Sequence, residues 1–163
     1  MQQGEFVRHV HSYTSDYVRF ADAKAGFAIA VTGVLLGVVA TRSASWQWVP
    51  LIEWQPFDVV RYLLFLTFLG SDGLAFLYAI RAITASTRST LSSLVGFPDV
   101  ANFGPQPYFD QLSALGTDER EREIAFHITE LARIAMRKYS SVNSSLSVIR
   151  LAAGAAAAIV LVH

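Results

Sequence analysis

The chain has 163 residues, enough for one domain, and 53% of them are hydrophobic while only 16% are charged, against roughly 25% charged in soluble domains. Its formal net charge is zero, so it lacks the basic field that draws nucleic acid. It holds no cysteine, which excludes disulfides, thiolate catalysis and cysteine-based zinc sites together.

Residues 5–24 read as a helix. Phe6, Val10, Tyr13, Tyr17 and Phe20 recur at steps of four and three, which gives one aromatic-rich face. The helix continues into residues 25–41, seventeen consecutive residues without a charge, close to the length a bilayer demands of a spanning helix. This run is not expected to be a cleaved signal peptide. It begins late, follows a stretch holding Glu5, Asp16 and Asp22, and lacks a small-residue cleavage pattern. Asp22 and Lys24 stand at its lip, either as plain boundary charges or as partners of a later cytoplasmic helix. Within the run, Gly33 and Gly37 form a small-xxx-small motif that lets helices approach closely. Gly26 and Ala30 lie on the same face, and the predicted role is a helix–helix interface within or between protomers.

Residues 42–61 form a short loop whose Trp46, Trp48 and Trp54 suit an interfacial aromatic belt. A second apolar run covers residues 62–80 and is broken only by Asp72. A carboxyl near the centre of a span is costly in lipid, so Asp72 is expected to face protein or water. It then serves as a polar contact within the bundle or as a group facing a lumen. Residues 85–93 are rich in Ser and Thr, and Gly96-Phe97-Pro98 and Asn102-Phe103-Gly104-Pro105-Gln106-Pro107 are read as breaks in regular structure.

Asp118 with Glu121 resembles a capping box for the next helix. That helix carries Ile124, Ile128, Leu131, Ala135, Tyr139 and Val142 on one stripe and Glu123, His127, Glu130, Arg133 and Arg137 on another. It leads into a third run at residues 146–162, Ala-rich at its centre and broken only by Arg150, which can snorkel to the interface. Each run is about 25–30 Å long as a helix, close to a hydrocarbon core. The competing reading, buried helices of a soluble bundle, suits the Ala-rich third run better than the first two.

Lys and Arg gather before the first run and across residues 81–145. By the positive-inside rule those segments are cytoplasmic. The prediction is an all-α membrane protein formed as a single domain, residues 1–163. Its three transmembrane helices (25–41, 62–80 and 146–162) run N-in, C-out. The cytoplasmic helical extensions, residues 1–24 and 81–145, pair as a bundle, and residues 42–61 lie outside.

Candidate chemistry is sparse. His9 and His11 are two apart and do not share a helix face, so no metal is expected. There is no Ser–His–acid set, nucleophile elbow or Gly-rich phosphate loop, and neither enzyme activity nor a cofactor is predicted. Arg133, Arg137 and Lys138, with Tyr139 beside them, form the densest basic and aromatic cluster. Such a set can hold a phosphate and stack a base, and it is equally suited to anionic lipid heads.

Three segments together resemble a known family. Tyr17-x-x-Phe20-Ala21-Asp22-x-Lys24-Ala25 leads into the first run. Asn102-Phe103-Gly104 follows in the second loop. Ile128-x-x-Leu131-Ala132-x-Ile134-Ala135-x-x-Lys138-Tyr139 leads into the last run. In order and spacing they are similar to the Pycsar transmembrane effectors, small bacterial antiphage membrane proteins, over roughly residues 14–160. The resemblance implies a multi-pass protein of the bacterial inner membrane that responds to cyclic CMP or cyclic UMP, or to another cyclic nucleotide, made by a neighbouring cyclase. It further implies that the response impairs the membrane and halts the infected cell. Three short spans enclose no useful pore, so a homo-oligomer is expected if the protein permeabilises the bilayer. Two other readings stand beside it: an effector of an oligonucleotide-cyclase system with two spans, and a non-signalling scaffold that docks a protein partner.

Overall fold

The computed structural model describes residues 3–44, 55–84 and 104–162. The three Trp residues of the first loop, residues 85–93, Gly96-Phe97-Pro98 and Asn102-Phe103 all lie outside them. Among the described residues there are four helices and no strand: α1 (Gln3–Ser43), α2 (Pro56–Thr84), α3 (Pro105–Ala114) and α4 (Thr117–Leu161). As the sequence predicts, α1 is continuous through its apolar run for 41 residues, and α4 is continuous for 45. Three helices, α1, α2 and α4, are long and apolar enough to cross a membrane.

The helix starts follow local chemistry. At α2 the backbone N–H of Gln55 donates to the Asp58 carboxylate at 3.0 Å, and at α4 the N–H of Gly116 donates to Glu119 at 3.0 Å. Each is the reciprocal half of a capping box, in which an acid three residues on satisfies a donor at the helix entrance. The α4 start is therefore Gly116 with Glu119, not Asp118 with Glu121 as the sequence led us to expect. The Pro105-Gln106-Pro107 segment is not a break but the start of α3. Pro105 occupies its first turn, where the missing N–H costs nothing and the fixed φ suits a helix.

The chain divides into two compact units. One comprises Met1–Ala21 and Ala85–Lys138, the other Asp22–Thr84 and Tyr139–His163. The second unit is an up–down–up bundle of the three apolar segments. At one level Ala25, Ala82 and Val142 cluster. Next come Ala28, Ala75, Ala79 and Ile149, and then Val39, Phe68, Ala152, Ala155, Ala156 and Ile159. Lipid tails are as apolar as Leu, so burial drives none of this assembly. Close approach through small residues does, and Ala occupies eight of these buried positions. Buried Thr32 and Ser71 return their hydroxyl protons to carbonyls of their own helices, Ile29 at 2.8 Å and Thr67 at 2.7 Å. Ser145 instead donates across the bundle to the carbonyl of Ala75, at 2.8 Å.

In the first unit, the face of α1 turned inward is not the aromatic stripe. Tyr13 is 57% exposed, and Tyr17 and Phe20 are exposed as well. The covered positions are His11, Thr14, Val18 and Ala21, one helical step round. Thr14, Val18 and Ala21 are small or β-branched and allow closer packing there than three large rings would. On α4 the predicted stripe does face inward, with Ala135 buried and Ile124, Ile128 and Leu131 half-buried.

Candidate functional site

The predicted basic cluster separates on the helix, where successive residues point about 100° apart. Arg133 and Arg137 are both exposed, one turn from each other. Arg133 is held by Glu130 at 2.9 Å. Lys138 turns inward and is buried. Tyr139 is half-buried, with the Lys24 ammonium 5.5 Å from its ring centre. Lys24 thus lies over the π-face of an α4 side chain, a cation–π contact worth about 0.5–2 kcal/mol depending on desolvation. Of the four residues of the cluster, only Arg133 and Arg137 share one surface.

A pair that sequence reasoning missed joins α1 to α4 within the first unit. The His11 and His127 rings stack with centroids 5.4 Å apart and planes 25° apart. Only the register of two long helices could have revealed His127. Burial, and secondarily the neighbouring His11, lower the His127 pKa from its usual 6.5, with Glu130 opposing. The folded value therefore lies below the unfolded one. Stability contributed by the neutral His127 ring is fully present above about pH 6.5 and is lost as pH falls through its folded value. Limited proteolysis of the detergent-solubilised protein is expected to cut near α1 faster at about pH 5.5 than at about pH 7.5. His127→Gln should flatten that difference. An equal rate at both pH values in the parent protein would refute it.

Nearby, the Tyr13 and Tyr17 hydroxyls lie 2.8 Å apart, with rings edge to face at 4.8 Å. The hydrogen bond to Tyr17 raises the Tyr13 pKa above its ordinary value. Among the described residues no group of three His, Asp or Glu side chains is placed to hold a metal ion.

In the bundle, Asp72 is 6% exposed, one turn from Phe68 on one side and from Ala75 on the other. Its Oδ1 is buried without a hydrogen-bond partner. The carboxyl thus sits inside the protomer. The Gly33/Gly37 face points the other way. A side chain added at Gly26, Gly33 or Gly37 would meet nothing within 4 Å, so among the described residues this small-residue face packs on no other helix.

Three apolar helices, packed through alanine and carrying a buried carboxyl at mid-length, define a multi-pass all-α membrane protein. Residues 6–163 match the family model described as Pycsar effector protein domain, so the chain belongs to the Pycsar effector family. It is a membrane effector of bacterial antiphage defence, linked to cyclic-nucleotide signalling. The comparisons with curated proteins and with solved structures gave no match.

Proposed function

We propose that this protein senses a cyclic pyrimidine mononucleotide, cyclic CMP or cyclic UMP, in the cytoplasm and then impairs the inner membrane, causing abortive infection. The observation that carries the reading is the family match over residues 6–163, on a chain with three helices able to span a bilayer. The orientation we assign is N-in, C-out, from the Lys and Arg distribution. The spans are residues 25–41, 62–80 and 146–162, within one effector domain. A ligand shifts an equilibrium only by its differential affinity for two states, so the nucleotide must bind the membrane-disrupting arrangement more tightly. Arg133 and Arg137, exposed one turn apart, are our candidates for its phosphate. Lys24 on Tyr139, with Asp22 beside Lys24 in sequence, is our candidate for the joint that passes the signal to the spans. The open Gly33/Gly37 face is free for a second protomer in a homo-oligomer.

The test is dye leakage from liposomes carrying the purified protein, with cyclic CMP, cyclic UMP and cyclic dinucleotides compared. Leakage is expected with one of the two pyrimidine nucleotides, together with binding by calorimetry. Lys24→Ala should retain binding and lose leakage. If no cyclic nucleotide binds or causes leakage, the reading fails.

A further inference from the structure

Helix α4 exposes Leu151 and Leu161, but unlike α1 and α2 it also turns a polar and charged stripe away from the bundle. The outward faces of α1 and α2 carry large apolar side chains such as Phe27, Val34, Leu66 and Leu77, all exposed. Along α4, Ser140, Asn143, Ser147, Arg150 and Gly154 are exposed. They follow one another at steps of three and four and so form a single stripe. It lies opposite the buried positions Val142, Ser145, Ile149, Ala152 and Ile159.

The depth of the stripe follows from the bundle itself. Val142 clusters with Ala25 and Ala82, which are the immediate neighbours of the boundary charges Lys24 and Arg81. Arg150 is eight residues further on, about 12 Å along the helix. A guanidinium that far past the boundary charges and turned outward would meet hydrocarbon if the protomer stood alone, which is costly. Ser147 donates to its own helix, to the Asn143 carbonyl at 2.9 Å, leaving its oxygen lone pairs and the Asn143 amide to face outward.

Copies of this chain inserted the same way present equal depths to one another. Asn143 and Ser147 offer both donors and acceptors, so they can pair with themselves or hold water. Arg150 has only donors, and a tight dimer would set guanidinium against guanidinium. A hydrated ring removes that conflict, because water and anions fill the centre. Gly154, with nothing within 4 Å of an added side chain, keeps that face slim beyond the charge.

We propose that the Ser140–Asn143–Ser147–Arg150 stripe lines a water-filled lumen between several copies of this chain, and that Arg150 forms a positive ring selecting anions. Rings of Arg or Lys give anion selectivity in pores. This inference rests on the reading that the protein permeabilises the membrane, and deepens it by naming the wall and the permeant charge.

The experiment is conductance of the full chain in planar bilayers, opened by cyclic CMP or cyclic UMP under a potassium chloride gradient. The parent protein should reverse on the chloride side of zero. Arg150→Gln should move the reversal potential toward zero, and Arg150→Glu should carry it to the potassium side. Should Arg150→Glu fail to fold, Asn143→Asp on the same stripe should shift the potential in the same direction. A conductance whose selectivity ignores Arg150→Gln and Asn143→Asp overturns this inference, because the arginine then only snorkels, and leaves the nucleotide-gated reading standing. No conductance with either nucleotide overturns both.

Discussion

Replacing Ala75 with Leu is expected to lower the thermal midpoint of the detergent-solubilised protein by several degrees and to reduce its yield from membranes. Ala75 is fully buried and clusters with Ala28 of α1 and Ile149 of α4, so three helices meet at its methyl group. Leu adds three carbons where the backbones are held together by having small residues between them. Overpacking of this kind costs about 1–3 kcal/mol, or roughly 2–4 °C per kcal/mol in a chain of this size. The same wedge separates Ser145 from the Ala75 carbonyl, now 2.8 Å apart. Interhelical bonds in membranes average about 0.6 kcal/mol, with a maximum near 1.7, so Ser145→Ala alone should cost much less. The double variant should fall short of the sum, since both changes remove one bond. Gly73→Leu is the control: it sits on the exposed face of the same helix, with nothing within 4 Å of an added side chain. If Ala75→Leu and Gly73→Leu behave alike, the bundle is not packed through Ala75.

The parts of this fold legible in the sequence are those governed by one helix at a time. Apolar length identified the three long helices, and periodicity identified the inward stripe of α4. The aromatic stripe of α1 misled because period 3.6 groups residues onto a face without saying which face is covered. Tyr13, Tyr17 and Phe20 form a true stripe, yet His11 and the smaller Thr14, Val18 and Ala21 lie inward. The glycine face of α1 left open whether its partner lay within the protomer or beyond it. Gly33 and Gly37 permit close approach, and the alanines Ala25 and Ala28 permit it nearly as well on another side. Prolines hid α3, because Pro in a first turn and Pro in a break look alike without the backbone. The candidate site suffered most. Arg133, Arg137, Lys138 and Tyr139 are close in sequence, but a helix turns neighbours to different sides. His11 and His127 are 116 positions apart, and nothing local joins them.

Replacing Asp72 with Asn is expected to make the protomer more stable and less active. The carboxyl is among the buried polar side chains of the bundle, and its Oδ1 has no donor, an arrangement that costs about 1–3 kcal/mol. An acid at the middle of a span adds to that cost. Asn keeps the shape and cannot ionise. The thermal midpoint should therefore rise by roughly 2–10 °C. Asp72→Leu, which removes the polar atoms altogether, should also raise it unless its shape strains the layer between Phe68 and Ala75. Function should move the other way. If the membrane-impairing state opens this bundle to water, the carboxyl is released from its cost in that state and not in the closed one. Its penalty in the closed state then biases the protein toward opening. Relieving about 1.4 kcal/mol of it shifts the equilibrium tenfold toward closure, so leakage should need more nucleotide and calorimetric affinity should weaken with it, by up to about tenfold. The measurement pairs thermal unfolding with leakage on the same preparations. A midpoint that falls in Asp72→Asn would show that the carboxyl is satisfied where it sits and holds the helices together. A raised midpoint with unchanged leakage would show that its cost plays no part in opening.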